Sequence, residues 1–165
     1  MNREYGVYRF ISQKTNILSK STLSVNKIKK RKFMFCRQLI IKCIYFGLFS
    51  NFSHSIYCLY DDKGLVHYSF LIPKCMKFSF MKRGDYQIGP CWTREDCRGK
   101  SIYSEMIKYI IYDKSKDKKN IRFYMLIRDT NHQSINGVYK LPFKKIGKCK
   151  KTRFLKLYKH IIIVN

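Results

Sequence analysis

The chain has 165 residues, 45% of them apolar, enough for one domain with its own core and too apolar for a disordered segment. Thirty-five Lys and Arg against ten Asp and Glu give a formal charge of +25, which suits polyanionic partners: a nucleic acid, an acidic membrane surface or an anionic ligand. The same excess, with no Ala anywhere and abundant Lys, Ile, Tyr, Phe and Ser, also fits AT-rich codon usage, which inflates Lys without a binding role.

Seven Cys are present, an odd number with no CxxC pair, and Cys91 and Cys97 stand six apart. No zinc pattern results and no metal is expected. The cysteines read as reduced thiols of a cytoplasmic protein, mostly buried as small apolar side chains. Residues 1–20 alternate polar and apolar positions without the core run of a signal peptide. The most apolar window, Gln38 to Phe52, carries Lys42 and falls below the ~18–20 residues a membrane span needs.

Glu4 to Ile11, rich in Tyr, Val, Phe and Ile, predicts a first strand. Ser12 to Asn26 is polar and reads as loop or weak helix. Lys27 to Lys32 (KIKKRK) is a basic run, read as a nucleic-acid or membrane patch or as the solvated start of the next helix. Over Phe33 to Phe49, Phe33, Cys36, Ile40, Cys43 and Phe46 or Gly47 recur at helical steps. Leu39, Ile41 and Ile44 widen that stripe, which predicts a mostly buried helix packed on a sheet. Ser55 to Tyr60 and Leu65 to Ile72 are strands joined at Asp61-Asp62-Lys63-Gly64, with Gly64 available for positive φ. Lys74 to Arg83 is basic and aromatic. Tyr86 to Thr93 is the next strand, and Gly89-Pro90 inside it predicts a bulge.

After that strand comes Arg98-Gly99-Lys100-Ser101 and an amphipathic helix over Ser101 to Tyr112, with Ile102, Met106, Tyr109 and Ile110 on one face. Strand, basic turn and helix start make a geometry that holds a pyrophosphate, because first-turn N–H groups lack partners and the helix dipole is positive there. Asp113 to Asn120 is a charged loop and Ile121 to Ile127 a strand. Asp129-Thr130-Asn131 is a turn with an N-cap, followed by a short helix from about His132 to Leu141 ended by Pro142. Phe143 to Gly147 and Thr152 to Val164 supply the last two strands. The order is strand, helical region, three antiparallel strands, helix, strand, helix, two strands. It describes a single mixed α+β or α/β domain over 1–165, with 1–54 an N-terminal strand and helical region.

Two motifs in this order resemble the GNAT (N-acetyltransferase) superfamily. Arg98-Gly99-Lys100-Ser101-Ile102-Tyr103 is similar to its Arg/Gln-x-x-Gly-x-Gly/Ala turn, and Asn131-His132-Gln133-Ser134 followed by Lys140-Leu141-Pro142-Phe143 is similar to its Asn turn and Leu-Gly-Phe. His67-Tyr68-Ser69 through Ile88-Gly89-Pro90-Cys91-Trp92-Thr93 looks like members associated with bacterial surface-polysaccharide synthesis. Ser101, Tyr103 and Pro142 depart from the family pattern, each standing where a small residue, mostly Gly, is usual.

The resemblance implies a central, mostly antiparallel sheet splayed between the fourth and fifth strands, with helices on both faces. It also implies acetyl-CoA as donor and a primary amine, such as an amino sugar, as acceptor. The backbone of Cys91, Trp92 and Thr93 is then expected to pair with the pantetheine arm. N–H groups of Arg98, Gly99, Lys100, Ser101, Ile102 and Tyr103 are expected to hold the pyrophosphate, Ser101 also capping the helix, and Asn131 to contact the cofactor. His67 and Asp85 are the candidate bases, though a strand His is commonly a packed structural residue and Asp85 sits in a turn that reads as solvated. Tyr139 is the candidate acid or a packing aromatic, and Trp92 lines the pocket or the core. Two other readings stay open: a nucleic-acid-binding module using Lys27–Lys32, Lys74–Arg83 and Lys144–Lys151, or an inactive GNAT fold.

Overall fold

The strand Glu4–Ile11 (β1) lies inside the sheet, with Val7 and Tyr8 fully buried on its two faces. It pairs antiparallel on both sides. A computed structural model describes residues 4–12, 28–31, 37–116, 120–152 and 158–163. Most of the loop expected over 12–26 lies outside these residues, as do Lys27, Lys32, the side chains of Phe33, Cys36 and Leu39, and residues 117–119 and 153–157. The remaining elements are β2 (Ile28–Arg31), α1 (Arg37–Ser50), β3 (Ser55–Asp61), β4 (Gly64–Pro73), β5 (Tyr86–Thr93), α2 (Ile102–Ser115), β6 (Arg122–Arg128), α3 (His132–Tyr139), β7 (Lys144–Lys151) and β8 (Tyr158–Ile163). The strands form one sheet in the order β2-β3-β4-β5-β6-β1-β7-β8, antiparallel everywhere except between β5 and β6.

Sequence expectations change at β2 and at α1. The basic run forms the four-residue edge strand β2 instead of a helix start, pairing from Ile28↔Leu59 to Arg31↔Ile56. A short strand rich in Lys and Arg resists further pairing, so it closes that edge. Ile28 packs on the core, and Lys30 reaches Asp113 of α2 at 3.0 Å. A charge run has no apolar period, so neither helix nor strand is legible in it. In α1, Cys43, Phe46 and Gly47 point inward as expected, but Ile41 is 75% exposed, with Ile44 and Leu48 exposed beside it. At 100° per residue these three fall on the side opposite Cys43 and Phe46, so the helix is buried on one face only.

Each face of the sheet carries a core. On one, Met106, Ile107, Ile110 and Ile111 of α2 and Val138 of α3 meet Tyr8, Leu59, Ile88, Phe123 and Met125. Each of those α2 side chains contributes about 2 kcal/mol by burial. On the other, Cys43 and Phe46 of α1 and Phe78 and Met81 of the loop after β4 cover Val7, Ile56, Phe70, Ile72 and Tyr124.

The site-forming feature is the divergence of β5 from β6. They pair only at Tyr86↔Phe123 and Gln87↔Tyr124, while β5 stays with β4 to Thr93 and β6 stays with β1 to Arg128. Gly89-Pro90 supplies the predicted bulge. Between Ser69↔Cys91 and Leu71↔Ile88, β5 holds one residue more than β4. Gly89 takes φ 121°, open to glycine, and the peptide it makes with Pro90 is cis. Asp85 pins the closed end. It is buried, not solvated, accepts from the Lys82 N–H at 2.8 Å and pairs with Arg122 at 2.8 Å.

Candidate functional site

Two cavities meet where β5 and β6 part. The first, of about 500 Å³, lies between the end of β5, the turn before α2, and α3. The second, of about 590 Å³, lies on the α1 side and runs from the bulge to Tyr5, Phe78 and Tyr158. Cys91, Tyr103, Asn131 and Ser134 line both, so the cavities adjoin at the gap.

The first cavity is shaped by a clamped turn. Arg94 grips Asp61 of the β3–β4 hairpin with both terminal nitrogens and Asp96 with Nε at 2.7 Å. That holds the 3₁₀ turn Glu95–Cys97 against the sheet and carries the chain to Gly99, at φ 78°. Ser101 follows at the helix N-cap with φ 57°, a left-handed conformation, and its side chain makes no capping hydrogen bond. The expectation that Ser101 caps α2 therefore changes, because a capping residue normally sits in the extended region, from which its oxygen reaches the N2 or N3 N–H. Its carbonyl instead accepts from Glu105 N–H and Ser104 Oγ. The first-turn N–H groups of Ile102–Ser104 are left without a side-chain cap, on a wall of the cleft. This arrangement fits an anion such as a pyrophosphate.

The cleft brings together most of the residues expected there. Cys91, Trp92, Thr93, Arg98, Gly99, Ser101, Ile102, Tyr103 and Asn131 line it; Lys100 is exposed and does not. Arg98 donates to the Thr93 carbonyl at 3.3 Å and lies 3.4 Å from Glu95. Asn131 caps α3, its side chain accepting from Ser134 N–H at 3.2 Å. The Trp92 indole stacks on Tyr68 at 5.9 Å, on the strand face opposite Cys91 and Thr93.

Of the three catalytic candidates, none enters the gap with a titrating group. His67 is fully buried, with Nδ1 2.7 Å from Thr93 Oγ1 and Nε2 2.8 Å from Ser69 Oγ. Ser69 donates to Cys91 Sγ at 3.0 Å, so its oxygen accepts from Nε2–H and Nδ1 accepts from Thr93. Burial pushes this imidazole down to about 3, which keeps it neutral. Burial likewise pushes the Cys91 thiol up to about 12 despite the Ser69 hydrogen bond. Asp85 lines neither cavity, being spent on Arg122. Tyr139 is 60% exposed, packs edge-on against Tyr8 at 6.1 Å and lines neither cavity.

The tyrosine at the junction is Tyr103, expected only for its backbone. Burial holds its hydroxyl well above the ordinary range, and it hydrogen-bonds Ser134. Its ring passes under Gly137 of α3, where an added Cβ would lie 2.7 Å from Tyr103 Cδ1. The large side chain at a position that is usually small is thus matched by a small one across the contact. A glycine inside a helix costs about 1 kcal/mol against Ala and was the available signal. Gln87 also carried no signal in the sequence. Its side chain is buried beside Gly89 and donates to the Ile88 carbonyl at 2.9 Å, while Oε1 has no partner among the described residues.

No protein-family model and no curated protein match the sequence. Solved structures do. One is a crystal structure described as a GNAT-family acetyltransferase from Novosphingobium aromaticivorans DSM 12444, with a TM-score of 0.57 and 12% identity. The match covers 90% of this chain and 63% of that one, so this chain spans under two thirds of that protein's length. The mixed sheet with its splayed strands is therefore a GNAT-like fold.

Proposed function

We propose that the protein is an acetyl-CoA-dependent N-acetyltransferase, with acetyl-CoA in the cleft beside α2 and a primary amine entering from the α1 side. One observation carries this reading: two cavities, one lined from α2 and α3 and the other from the α1 side, share Cys91, Tyr103, Asn131 and Ser134 as lining where β5 and β6 part. Acetyl-CoA supplies a thioester that an amine attacks directly, with a thiolate leaving. Past Gln87 the β5 backbone has no β6 partner, so Cys91–Thr93 offers hydrogen-bonding groups to a pantetheine arm. Ile102–Ser104 N–H groups and Arg98 hold the pyrophosphate. Tyr103 Oη keeps its proton at neutral pH and serves as the donor at the junction, in place of Tyr139.

Gln87 Oε1 accepts from the incoming amine and orients it. No carboxylate is among the described residues lining either cavity, and His67 stays neutral. The amine therefore loses its proton to water, and His67 acts by fixing Ser69 and Cys91 beneath the bulge. An amino sugar of surface-polysaccharide synthesis is the acceptor that the family resemblance favours, and the cytoplasm is where the donor is found. Calorimetry with acetyl-CoA tests the reading, with micromolar affinity expected. No heat at millimolar acetyl-CoA overturns it. A steeply salt-dependent affinity for random DNA in its place favours the nucleic-acid module.

A further inference from the structure

We propose that the outer face of α1 lies on an anionic lipid surface, its apolar side chains entering the headgroup boundary and the Lys and Arg around it meeting acidic headgroups.

A helix that covers one face of a sheet is expected to turn a polar face to water. α1 does not. Between Gln38 and Ser50 its one charged residue is Lys42, and every other position but Tyr45 lacks a polar side-chain group apart from the thiol of Cys43. Cys43 and Phe46 are spent on the core. Ile41, Ile44 and Leu48 stand three and four residues apart on the opposite side, Leu48 being 71% exposed.

The apolar surface continues past the helix end. Asn51 and Phe52 take φ 48° and 52°, and the Phe52 N–H donates to the Gly47 carbonyl at 2.8 Å. A bulky side chain seldom adopts this conformation. Here it lays the Phe52 ring against Gly47, with about half of the residue still facing solvent. The loop between β4 and β5 packs beside α1, its Lys77 Nζ lying 4.3 Å from the Tyr45 centroid, and it adds the exposed Met76. Trp92 is tied to the helix through Tyr68, on which it stacks and whose hydroxyl accepts from Lys42 Nζ at 3.0 Å.

Charge decides what covers this surface. From Tyr5 to Tyr60 the sequence contains no Asp or Glu. Lys42 on α1 and Lys74, Lys82 and Arg83 on the neighbouring loop are exposed, while Asp85 at the end of that loop is buried and paired with Arg122. A second copy would bring a charge of +25 against its equal, which opposes pairing through this face. A nucleic acid would match the charge and leave Ile41, Ile44 and Leu48 in water. An anionic bilayer matches both, burying the apolar side chains at the acyl boundary beneath acidic headgroups.

Sedimentation of the full chain with vesicles tests the proposal, phosphatidylcholine alone against phosphatidylcholine with about one third phosphatidylglycerol. At physiological salt, affinity for the anionic vesicles is expected to be greater by about tenfold or more. Ile41→Ser combined with Leu48→Ser removes two exposed apolar side chains and no charge. It should weaken that binding about tenfold while leaving the Tm unchanged. Ile44→Asp, a single exposed substitution, should act in the same direction. Equal binding to both kinds of vesicle overturns the proposal. So does undiminished binding by a folded double variant or by folded Ile44→Asp, because charge alone would then explain the adsorption. A dimer in solution that the double variant dissociates also overturns it, since a second copy then covers the face.

Discussion

His67 shows how one side chain is fixed in its role by burial. A free imidazole titrates near 6.5 and this one at about 3, so between those values the unfolded chain binds the extra proton. The stability from burying it neutral is complete above pH 6.5 and is lost as pH falls toward 3. Urea titrations at pH 7.5 and 5.0 should differ by about 2 kcal/mol from this residue alone. His67→Gln should remove most of that difference, and an undiminished pH dependence would show that the imidazole is not held as described. Ser101 makes a second residue-scale prediction. A non-glycine residue at φ 57° is strained by about 1–2 kcal/mol. Ser101→Gly should raise stability by up to about 1 kcal/mol after glycine's backbone entropy is counted, and should tighten acetyl-CoA binding. Ser101→Val should lower both.

At the scale of elements, the contact between α2 and α3 rests on Tyr103 and Gly137. Gly137→Ala puts a methyl group 2.7 Å from the ring, which must then shift. Acetyl-CoA affinity is expected to drop about tenfold, and Tyr103→Ala in the same chain should recover most of it, as coupled neighbours do. Calorimetry on the two single variants and the double variant checks this; strictly additive losses would break the link. The same scale shows what was legible in the sequence. β1 follows from a run of Tyr, Val, Phe and Ile, the β3–β4 hairpin from two apolar runs about a turn at Asp61–Gly64, and the bulge in β5 from Gly89-Pro90. The turn before α2 was readable because glycine and charge precede an amphipathic helix. The partners of His67, the path of Tyr103 and the orphan acceptor on Gln87 were not. Each depends on which residues the sheet register sets side by side, as Ser69 opposite Cys91 and His67 opposite Thr93. β2 was hidden for another reason: its four residues gain their strand state from β3, not from their own pattern.

For the whole molecule, the charge of +25 acts as a long-range field. Association with the polyanionic acetyl-CoA should slow several-fold between 50 mM and 500 mM salt, as stopped-flow binding would register. A rate indifferent to salt would mean that the excess Lys does not steer the ligand. Among the described residues no helix is long and apolar enough to cross a membrane. Part of the apolar surface not used by the core lies on the outer side of α1, at Ile41, Ile44 and Leu48.

The splay has a kinetic consequence. In the proposed acetyl transfer, cavities that reach the gap from opposite sides would let each substrate arrive, and each product depart, without crossing the other's path. Neither product then has to wait for its companion. Steady-state rates should give intersecting double-reciprocal lines, with CoA competing only against acetyl-CoA and the acetylated amine only against the amine. Parallel lines would require the acetyl group to rest on the protein between two separate visits, with Cys91, the thiol at the junction, as its resting place.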